Sequence, residues 1–269
     1  MGNGSGGDLN GAIVVRDLEK VYEARVGDRV TALDRISLNV RREEFVSVVG
    51  PSGCGKSTLL KLVAGLIAPS AGEVLVNGAP VRGPLPDIGI VFQSPVLLPW
   101  KTILHNVLFP IKILRRDVAA HRDVAMGLLR LAGLADQAHR YPSELSGGMQ
   151  QRAGLCRALV HDPALLLMDE PFGALDAMTR DDMNVELLRI WGERKKTVLF
   201  ITHSISEAVF LSDTVVVMTP RPGRIDCVIP VDLPRPRGID MRDSKHFGEL
   251  QHRVRARIYA GRPPGGGGD

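Results

Sequence analysis

One stretch of the chain is Gly50-Pro51-Ser52-Gly53-Cys54-Gly55-Lys56-Ser57-Thr58, and it fits the phosphate-loop pattern G-x-x-x-x-G-K-[ST]. The apolar run 45–49 precedes it and has the length and composition of a buried strand. Residues 57–67 follow it and predict a helix packed on a sheet. Strand, glycine loop and helix together are the context in which this pattern binds the phosphates of a nucleotide.

The residue types of this loop suit phosphate binding. Glycine lets the backbone curve around an oxygen without a Cβ in the way, and a helix N-terminus adds free N–H groups and a partial positive charge. Lys56 would bring a full charge to the β- and γ-phosphates, and the Ser57 hydroxyl would hold Mg²⁺. We therefore expect residues 50–58 to form the nucleotide site. The alternative, a chance glycine turn before a helix, is disfavoured by the flanking strand and helix.

Composition limits the class of protein. The chain has 269 residues, of which 44% are hydrophobic, and this suits one large domain or one domain with subdomains. A net charge of +4 is too mild to indicate nucleic-acid binding by itself. The three cysteines, Cys54, Cys156 and Cys227, show no metal or disulfide spacing, which fits a reducing cytosol. No apolar run reaches the ~18 residues of a membrane span.

The hydrophobic pattern predicts an α/β fold. Runs at 12–18, 36–40 and 73–78 predict an antiparallel layer beside the phosphate loop. Runs at 164–168 and 197–201 are strands, and between them residues 180–195 form an amphipathic helix. This strand–helix–strand alternation predicts a parallel sheet. The side chains expected to face the core from that helix are Leu187, Leu188 and Trp191.

The segment between these two parts has a helical pattern, from about 102 to 134. Asp117 is positioned to cap a helix at 118–130, and Gly133 to end it. A buried strand at 88–93 precedes this helical segment and ends at Gln93. We therefore expect a helical insertion between the phosphate loop and the later strands.

Two acids, Asp169 and Glu170, directly follow the apolar run 165–168. An acid at the carboxyl end of a buried strand faces the nucleotide crevice of an α/β sheet. Asp169 would hold Mg²⁺ directly or through water, and Glu170 would polarise the attacking water. The alternative is a pair of surface acids after a core strand, which the phosphate loop disfavours.

The stretch Leu145-Ser146-Gly147-Gly148-Met149-Gln150-Gln151-Arg152 resembles the signature sequence of ATP-binding cassette (ABC) ATPases. Physically it is a second serine–glycine N-terminus of a helix, and hence a second anion site; the alternative is a plain helix cap. The resemblance implies that ATP is bound with Mg²⁺ and that two copies pair. The signature of one copy then closes on the γ-phosphate held by the other. The residues implied in this contact are Ser146, Gly147, Gly148 and Gln150.

Other positions match the ABC pattern in order. Gln93 resembles the Q-loop glutamine, which touches Mg²⁺ and the attacking water and senses the membrane partner. Residues 173–176 resemble the D-loop at the dimer seam, which places Asp176 near the nucleotide. His203 resembles the switch histidine that contacts the γ-phosphate, although a lone histidine is commonly structural. Tyr22 resembles the aromatic residue that stacks on adenine; its alternative is a packed strand residue.

The resemblance implies a P-loop NTPase core with a mostly parallel sheet, an antiparallel β subdomain and an inserted α-helical subdomain. We expect a disordered tail at 1–11, an ABC ATPase domain at 12–233 with the helical insertion at about 102–160, a connector and helix at 234–260, and a disordered tail at 261–269. The polar helix in the connector region is either a solvated surface helix or a contact with a membrane or partner.

Several phrases resemble the ATPases of nitrate, sulfonate and taurine importers: residues 94–102, 170–176, 218–225 and 231–237. The resemblance implies a peripheral subunit at the cytoplasmic face of the membrane, partnered by two membrane permease subunits and indirectly by a solute-binding protein, with no nucleic acid. Residues Gln93 to Trp100 are the candidate docking surface; the alternative is that Trp100 is a buried core residue. A pyrimidine precursor also stays open as the solute.

Other function classes stay open at this stage. A soluble ABC ATPase acting on nucleic acid or ribosomes is one, although the chain has neither a long coiled-coil insertion nor a second cassette. An exporter component is another, although no membrane domain is fused to this sequence. A non-enzymatic scaffold would have no use for both Glu170 and His203.

Overall fold

The structure is a computed structural model that describes residues 11–23, 29–173 and 175–260. Apart from Gly11, the predicted tails at 1–11 and 261–269 lie outside these ranges, as does Ala174. The strands are β1 Ile13–Glu23, β2 Arg29–Val40, β3 Phe45–Val49, β4 Ala71–Val76, β5 Ala79–Pro80, β6 Ile88–Val91, β7 Leu165–Asp169, β8 Thr197–Ile201, β9 Thr214–Met218 and β10 Ile225–Pro230. The helices are α1 Lys56–Val63, α2 Ile103–Val107, α3 Phe109–Ile113, α4 Arg122–Leu131, α5 Gly147–Leu159, α6 Ala177–Arg194, α7 Ile205–Leu211 and α8 Lys245–Ala260.

Two sheets organise the chain. The central sheet has the order β10-β9-β3-β8-β7-β6, in which the five strands from β9 to β6 are parallel and β10 is antiparallel to β9. The second sheet is antiparallel, with the order β2-β1-β4-β5. The predicted α/β fold, with its mostly parallel sheet, antiparallel layer and inserted helices, is confirmed. No helix within the described ranges combines the length and the apolar character needed to cross a membrane.

Both faces of the parallel sheet are covered, which explains why its strands are continuous apolar runs. Val46 and Val48 of β3 pack with β1, β2 and α1, whereas Phe45 and Val49 pack with α6, α7 and α8. A third cluster lies in the helical insertion, from α2 to α5. The α6 side chains predicted to face the core are buried in the cluster that contains Phe45 and Val49: Leu187, Leu188 and Trp191.

The helix predicted at 118–130 begins later than expected, at Arg122. The carboxylate of Asp117 accepts from the backbone N–H of Ala119 at 2.8 Å, and so closes a turn instead of capping the helix itself. Gly133 adopts a left-handed φ of 65° just after α4 ends, as expected of a helix terminator.

Two other boundaries were also wrong. The helix predicted at 57–67 ends at Val63, because Gly65 turns the chain with a left-handed φ of 71°. The strand expected to reach Gln93 ends at Val91, so the glutamine lies on the loop after the strand.

The turn between β9 and β10 packs directly against the phosphate loop. The N–H of Gly223 donates to the carbonyl of Ala32, and its carbonyl accepts from the N–H of Asp34, both at 3.0 Å. A Cβ added to Gly223 would lie 2.0 Å from the carbonyl oxygen of Cys54, in the phosphate loop. Glycine therefore lets this turn pack backbone against backbone with the loop.

We expect Gly223→Ala to lower the free energy of unfolding by about 1–3 kcal/mol, because the added methyl group overpacks against fixed backbone. The same clash displaces Cys54, so nucleotide affinity should fall as well. Urea denaturation and nucleotide titration measure the two effects.

The matched control is Gly248→Ala on α8, where an added Cβ meets no atom within 4 Å. This control should be neutral or stabilising by up to about 1 kcal/mol, because alanine is the better helix former. Equal stability of Gly223→Ala and the unmodified protein would contradict the packing argument.

Candidate functional site

The phosphate loop has the backbone expected from its glycines. Gly53 and Gly55 adopt left-handed φ values of 75° and 101°, a region that glycine enters without strain. A Cβ on Gly55 would lie 2.9 Å from the carbonyl of Ala32 and 2.6 Å from the side chain of Leu33. β2 therefore fixes the point where the loop enters α1, whose first N–H groups open towards the loop.

Lys56 folds back over the loop that carries it. Its side chain is buried, and Nζ donates to the carbonyls of Gly50 at 2.9 Å and Pro51 at 3.0 Å. The cation thus braces the loop at the place where anionic oxygens would bind.

Ser57 and Asp169 form a pair suited to a divalent cation. The hydroxyl of Ser57 donates to Oδ1 of Asp169 at 3.0 Å, and burial raises the pKa of that carboxyl, opposed by the hydrogen bond from Ser57. A hydroxyl and a carboxylate are the hard oxygen ligands that Mg²⁺ takes in nucleotide sites. The donor set of these two residues therefore fits Mg²⁺.

Three predicted catalytic residues meet at one atom. Oε2 of Glu170 accepts from Nε2 of Gln93 at 3.2 Å and lies 3.3 Å from Nδ1 of His203. Glu170 has a left-handed φ of 47°, which is uncommon outside glycine, and its N–H donates to the carbonyl of Ile201 at 2.9 Å. The carboxylate is thus aimed from a strained backbone position that β8 holds.

An open pocket of about 270 Å³ lies over the phosphate loop. Tyr22 is on its wall with 41% of its surface exposed, so the packed-strand alternative for this residue is wrong. Lys20 lies over the Tyr22 ring at 5.2 Å from the centroid. The lining residues are Tyr22, Val30, Ala32, Ser52, Gly53, Gly55, Lys56, Ser57, Thr58, Gln93, Glu170 and Arg221.

Three loop residues are absent from that lining. Gly50 and Pro51 contribute carbonyls to Lys56 instead. Cys54 is fully buried, and burial raises the pKa of its thiol. These three residues shape the loop, and their contact with the nucleotide stays a prediction.

The signature residues lie elsewhere on the surface of the chain. Ser146 caps α5 by accepting from the N–H of Met149 at 3.3 Å, and Gln150 donates to the carbonyls of Pro142 and Leu145. Neither these two residues nor the exposed or half-buried glycines of the signature are among the lining residues above. One copy therefore does not bring its signature to its own pocket.

Asp176 is likewise engaged in helix capping. Its carboxylate accepts from the N–H of Thr179 at 3.0 Å, and this hydrogen bond lowers the pKa of Asp176. The cap starts α6 at Ala177, three residues before the predicted start at Arg180. The structure does not place Asp176 in the pocket of its own chain.

Sequence reasoning missed Arg221. It lies in the turn between β9 and β10, exposed, with its guanidinium 3.9 Å from the Cβ position of Gly53. Among the described residues it has no hydrogen bond or ion pair, whereas Arg224 of the same turn is paired with Asp34. No phosphate-binding motif includes Arg221, because it is the pairing of β9 with β3 that brings this distant turn beside the phosphate loop.

The phosphate loop, the Ser57–Asp169 pair and Glu170 define a P-loop ATPase. Residues 33–173 match the family model described as ABC transporter. The chain is 45% identical over 248 residues to the taurine import ATP-binding protein TauB of Rhizobium johnstonii, covering 89% of this chain and 93% of that protein.

A second relative is the nitrate import ATP-binding protein NrtC of Synechococcus elongatus, 41% identical over 246 residues, covering 90% of this chain and 37% of that protein. A dimeric structure of a bacterial ABC transporter cassette matches with a TM-score of 0.75 and 32% identity, covering 84% of this chain and 100% of that one. The chain therefore belongs to the ABC transporter family. It is an ABC ATPase and binds ATP, so the resemblance found in its signature is confirmed.

Replacing Arg221 by alanine should weaken ATP affinity by about 3- to 10-fold, since a cation is lost beside the phosphate loop. The loss should shrink as salt is raised, because the contact is exposed to solvent. Titration with a fluorescent ATP analogue measures both effects. Arg82→Ala is the control, because Arg82 is exposed and outside the pocket lining. Equal affinities of the two variants would contradict a role for Arg221.

Proposed function

We propose that this ABC ATPase energises import of a small solute such as taurine, another sulfonate or nitrate, from the cytoplasmic face of the membrane. The observation that carries the ATPase part is the meeting of Gln93, Glu170 and His203 beside the Ser57–Asp169 pair. The names of the taurine and nitrate import relatives support the direction and class of transport. Two permease subunits would supply the passage, and an external solute-binding protein the selectivity.

Hydrolysis in this proposal uses the groups around Glu170. Its carboxylate polarises the attacking water, and Gln93 and His203 hold Oε2 so that the other oxygen can face that water. His203 would also contact the γ-phosphate. Lys56 exchanges its loop carbonyls for phosphate oxygens and stabilises the charge that develops on them. Mg²⁺, held by Ser57 and Asp169 with Gln93 nearby, would neutralise β- and γ-phosphate charge. Tyr22 would stack on the adenine.

The working unit in this proposal is a pair of copies. The chain has a phosphate pocket and, apart from it, an exposed signature with Ser146 at the N-terminus of α5. A helix N-terminus of this kind suits an anion, and the γ-phosphate of a second copy's ATP is the anion we propose. Asp176 would then lie at the seam between the copies. The dimeric related cassette supports this arrangement.

The segment from Gln93 to Trp100 is the proposed docking surface for a permease subunit. Trp100 is 71% exposed and Val96 is 59% exposed, so the buried alternative for Trp100 is wrong. Val96 has a left-handed φ of 41°, unusual for a β-branched residue. Arg157 of α5 holds this conformation by donating to the carbonyls of Pro95 at 3.1 Å and Val96 at 2.6 Å.

Asn106 holds the other half of the segment. Its side chain accepts from the N–H of Leu98 at 2.7 Å and donates to the carbonyls of Leu98, Lys101 and Thr102. The exposed apolar side chains are therefore presented on a braced loop. A rigid aromatic anchor of this kind is typical of binding hot spots.

Glu170→Gln should bind ATP, accumulate as an ATP-dependent dimer and lose hydrolysis by about 10²- to 10⁴-fold, because the amide cannot act as a general base. Phosphate release and size-exclusion chromatography with ATP are the measurements. Glu249→Gln, an exposed acid on α8, is the control and should hydrolyse ATP normally. Near-normal turnover in Glu170→Gln would refute the catalytic assignment.

Trp100→Ala should leave the hydrolysis rate of the isolated subunit within about twofold and reduce transport by the assembled importer, because a hot-spot aromatic is removed from the interface alone. Uptake of labelled taurine by cells carrying the whole transporter tests this. The control is Tyr259→Ala, which removes an exposed aromatic from α8. If uptake is unchanged in Trp100→Ala, the docking surface lies elsewhere.

A further inference from the structure

The ring of His203 has little packing to fix its position. Its side chain is 64% exposed and lies 3.3 Å from Oε2 of Glu170. A catalytic group at the surface has to be positioned by its backbone, because an exposed side chain retains rotamer freedom. The residues on each side of His203 therefore decide where it points.

The side-chain hydroxyl of Thr202 links the residues on the two sides of His203. Oγ1 of Thr202 accepts from the N–H of Ser204 at 3.0 Å and donates to Oε2 of Glu207 at 2.5 Å. Thr202 and Glu207 are buried. The backbone around His203 is thus wrapped about the Thr202 hydroxyl, which the Glu207 carboxylate orients from the first turn of α7.

The second carboxylate oxygen of Glu207 connects this turn with Arg180 on α6. Oε1 lies 3.6 Å from Nε of Arg180, and Nη2 of Arg180 donates to the carbonyl of Leu175 at 2.8 Å. Leu175 directly precedes Asp176, the cap of α6. Continuous polar contacts therefore connect the segment after Glu170 with the turn that carries His203.

A gain in folding stability does not by itself explain why the carboxylate of Glu207 is buried. Burial raises the pKa of Glu207, and the hydrogen bond from Thr202 and the charge of Arg180 oppose that shift. Replacing a buried ion pair by well-packed apolar residues is commonly neutral or stabilising. What the pair adds is geometry, since the charged and hydrogen-bonded groups accept one arrangement of α6 relative to α7.

We propose that Arg180, Glu207 and Thr202 form a positioning relay that sets His203 according to the position of the Leu175–Asp176 segment. The three are positioning residues, because they act on the γ-phosphate through His203. The inference rests on the proposed function, in which the Asp176 segment meets a second copy. Closure of that copy on the segment is then transmitted through the relay to His203.

The first test is Glu207→Gln, which keeps the shape of the side chain and an acceptor for Thr202 but removes the charge that faces Arg180. We expect kcat for ATP hydrolysis to fall by about 10- to 100-fold, the effect of misplacing a catalytic group by about 1 Å, while KM for ATP changes less than about twofold. Arg180→Gln should likewise lower kcat and leave KM for ATP nearly unchanged.

Arg189→Gln is the matched control, because Arg189 lies on the same helix and forms surface ion pairs with Glu186 and Glu193. It should leave kcat and KM unchanged. Arg180→Lys should recover little of the kcat that Arg180→Gln loses, since one ammonium group cannot reproduce the planar contacts of a guanidinium. Unchanged kcat in folded Glu207→Gln would overturn the proposal.

The decisive measurement uses a His203→Ala background, with single-turnover hydrolysis at excess protein to resolve slow rates. A relay that acts through His203 has nothing left to position there, so Glu207→Gln should cause less than about twofold further loss. A merely structural role would reduce the rate by the same factor in both backgrounds, and that result would overturn the relay. Circular dichroism and thermal melts establish that each variant is folded.

Two variants of Thr202 test the relay independently, in case Glu207→Gln does not fold. Thr202→Val keeps the volume at this position and removes the hydroxyl, whereas Thr202→Ser keeps the hydroxyl. The serine variant should retain kcat and the valine variant should lose it; equal rates would count against the relay. The proposed function fails separately, if the unmodified protein and Glu170→Gln hydrolyse ATP alike.

Discussion

Four neighbouring parallel strands end at one edge of the central sheet, and their order brings together the phosphate loop and the predicted catalytic residues. β3 leads into the phosphate loop, β8 into His203, β7 into Asp169 and Glu170, and β6 into the loop of Gln93. Adjacent strands lie about 4.8 Å apart, so groups from distant parts of the sequence meet within hydrogen-bonding distance. The hydroxyl of Ser57 reaches Asp169 across this edge at 3.0 Å. Ligands of open α/β sheets bind at this carboxyl edge.

Hydrogen bonds hold two residues of this protein in unusual backbone conformations. Glu170 and Val96 both have left-handed φ values, and such positions cost about 1–3 kcal/mol each. Glu170 is held by the carbonyl of Ile201, and Val96 by the guanidinium of Arg157. The first position aims a carboxylate and the second presents an apolar side chain, so in both cases the strain places a group that our proposed function uses.

The same helix that begins with the signature also braces the docking segment. Gln151 of α5 donates to the carbonyl of Phe92 at 2.9 Å, and Arg157 holds Pro95 and Val96 farther along the helix. A rigid displacement of α5 would therefore move the signature and the docking segment together. Under the proposed function, this contiguity is the physical route that couples binding of a second copy's ATP to a permease subunit.

Local sequence determined the phosphate loop, the strand before it and the two acids at the end of β7, because each depends on neighbours within a few residues. It also indicated the parallel sheet, since strands buried on both faces need continuous apolar runs. Tertiary structure alone decided the exposure of Trp100, the place of Arg221 in the pocket and the contact of Arg180 with Glu207. These features depend on which strands and helices become neighbours, and short-range patterns carry no information about contacts between residues far apart in the chain.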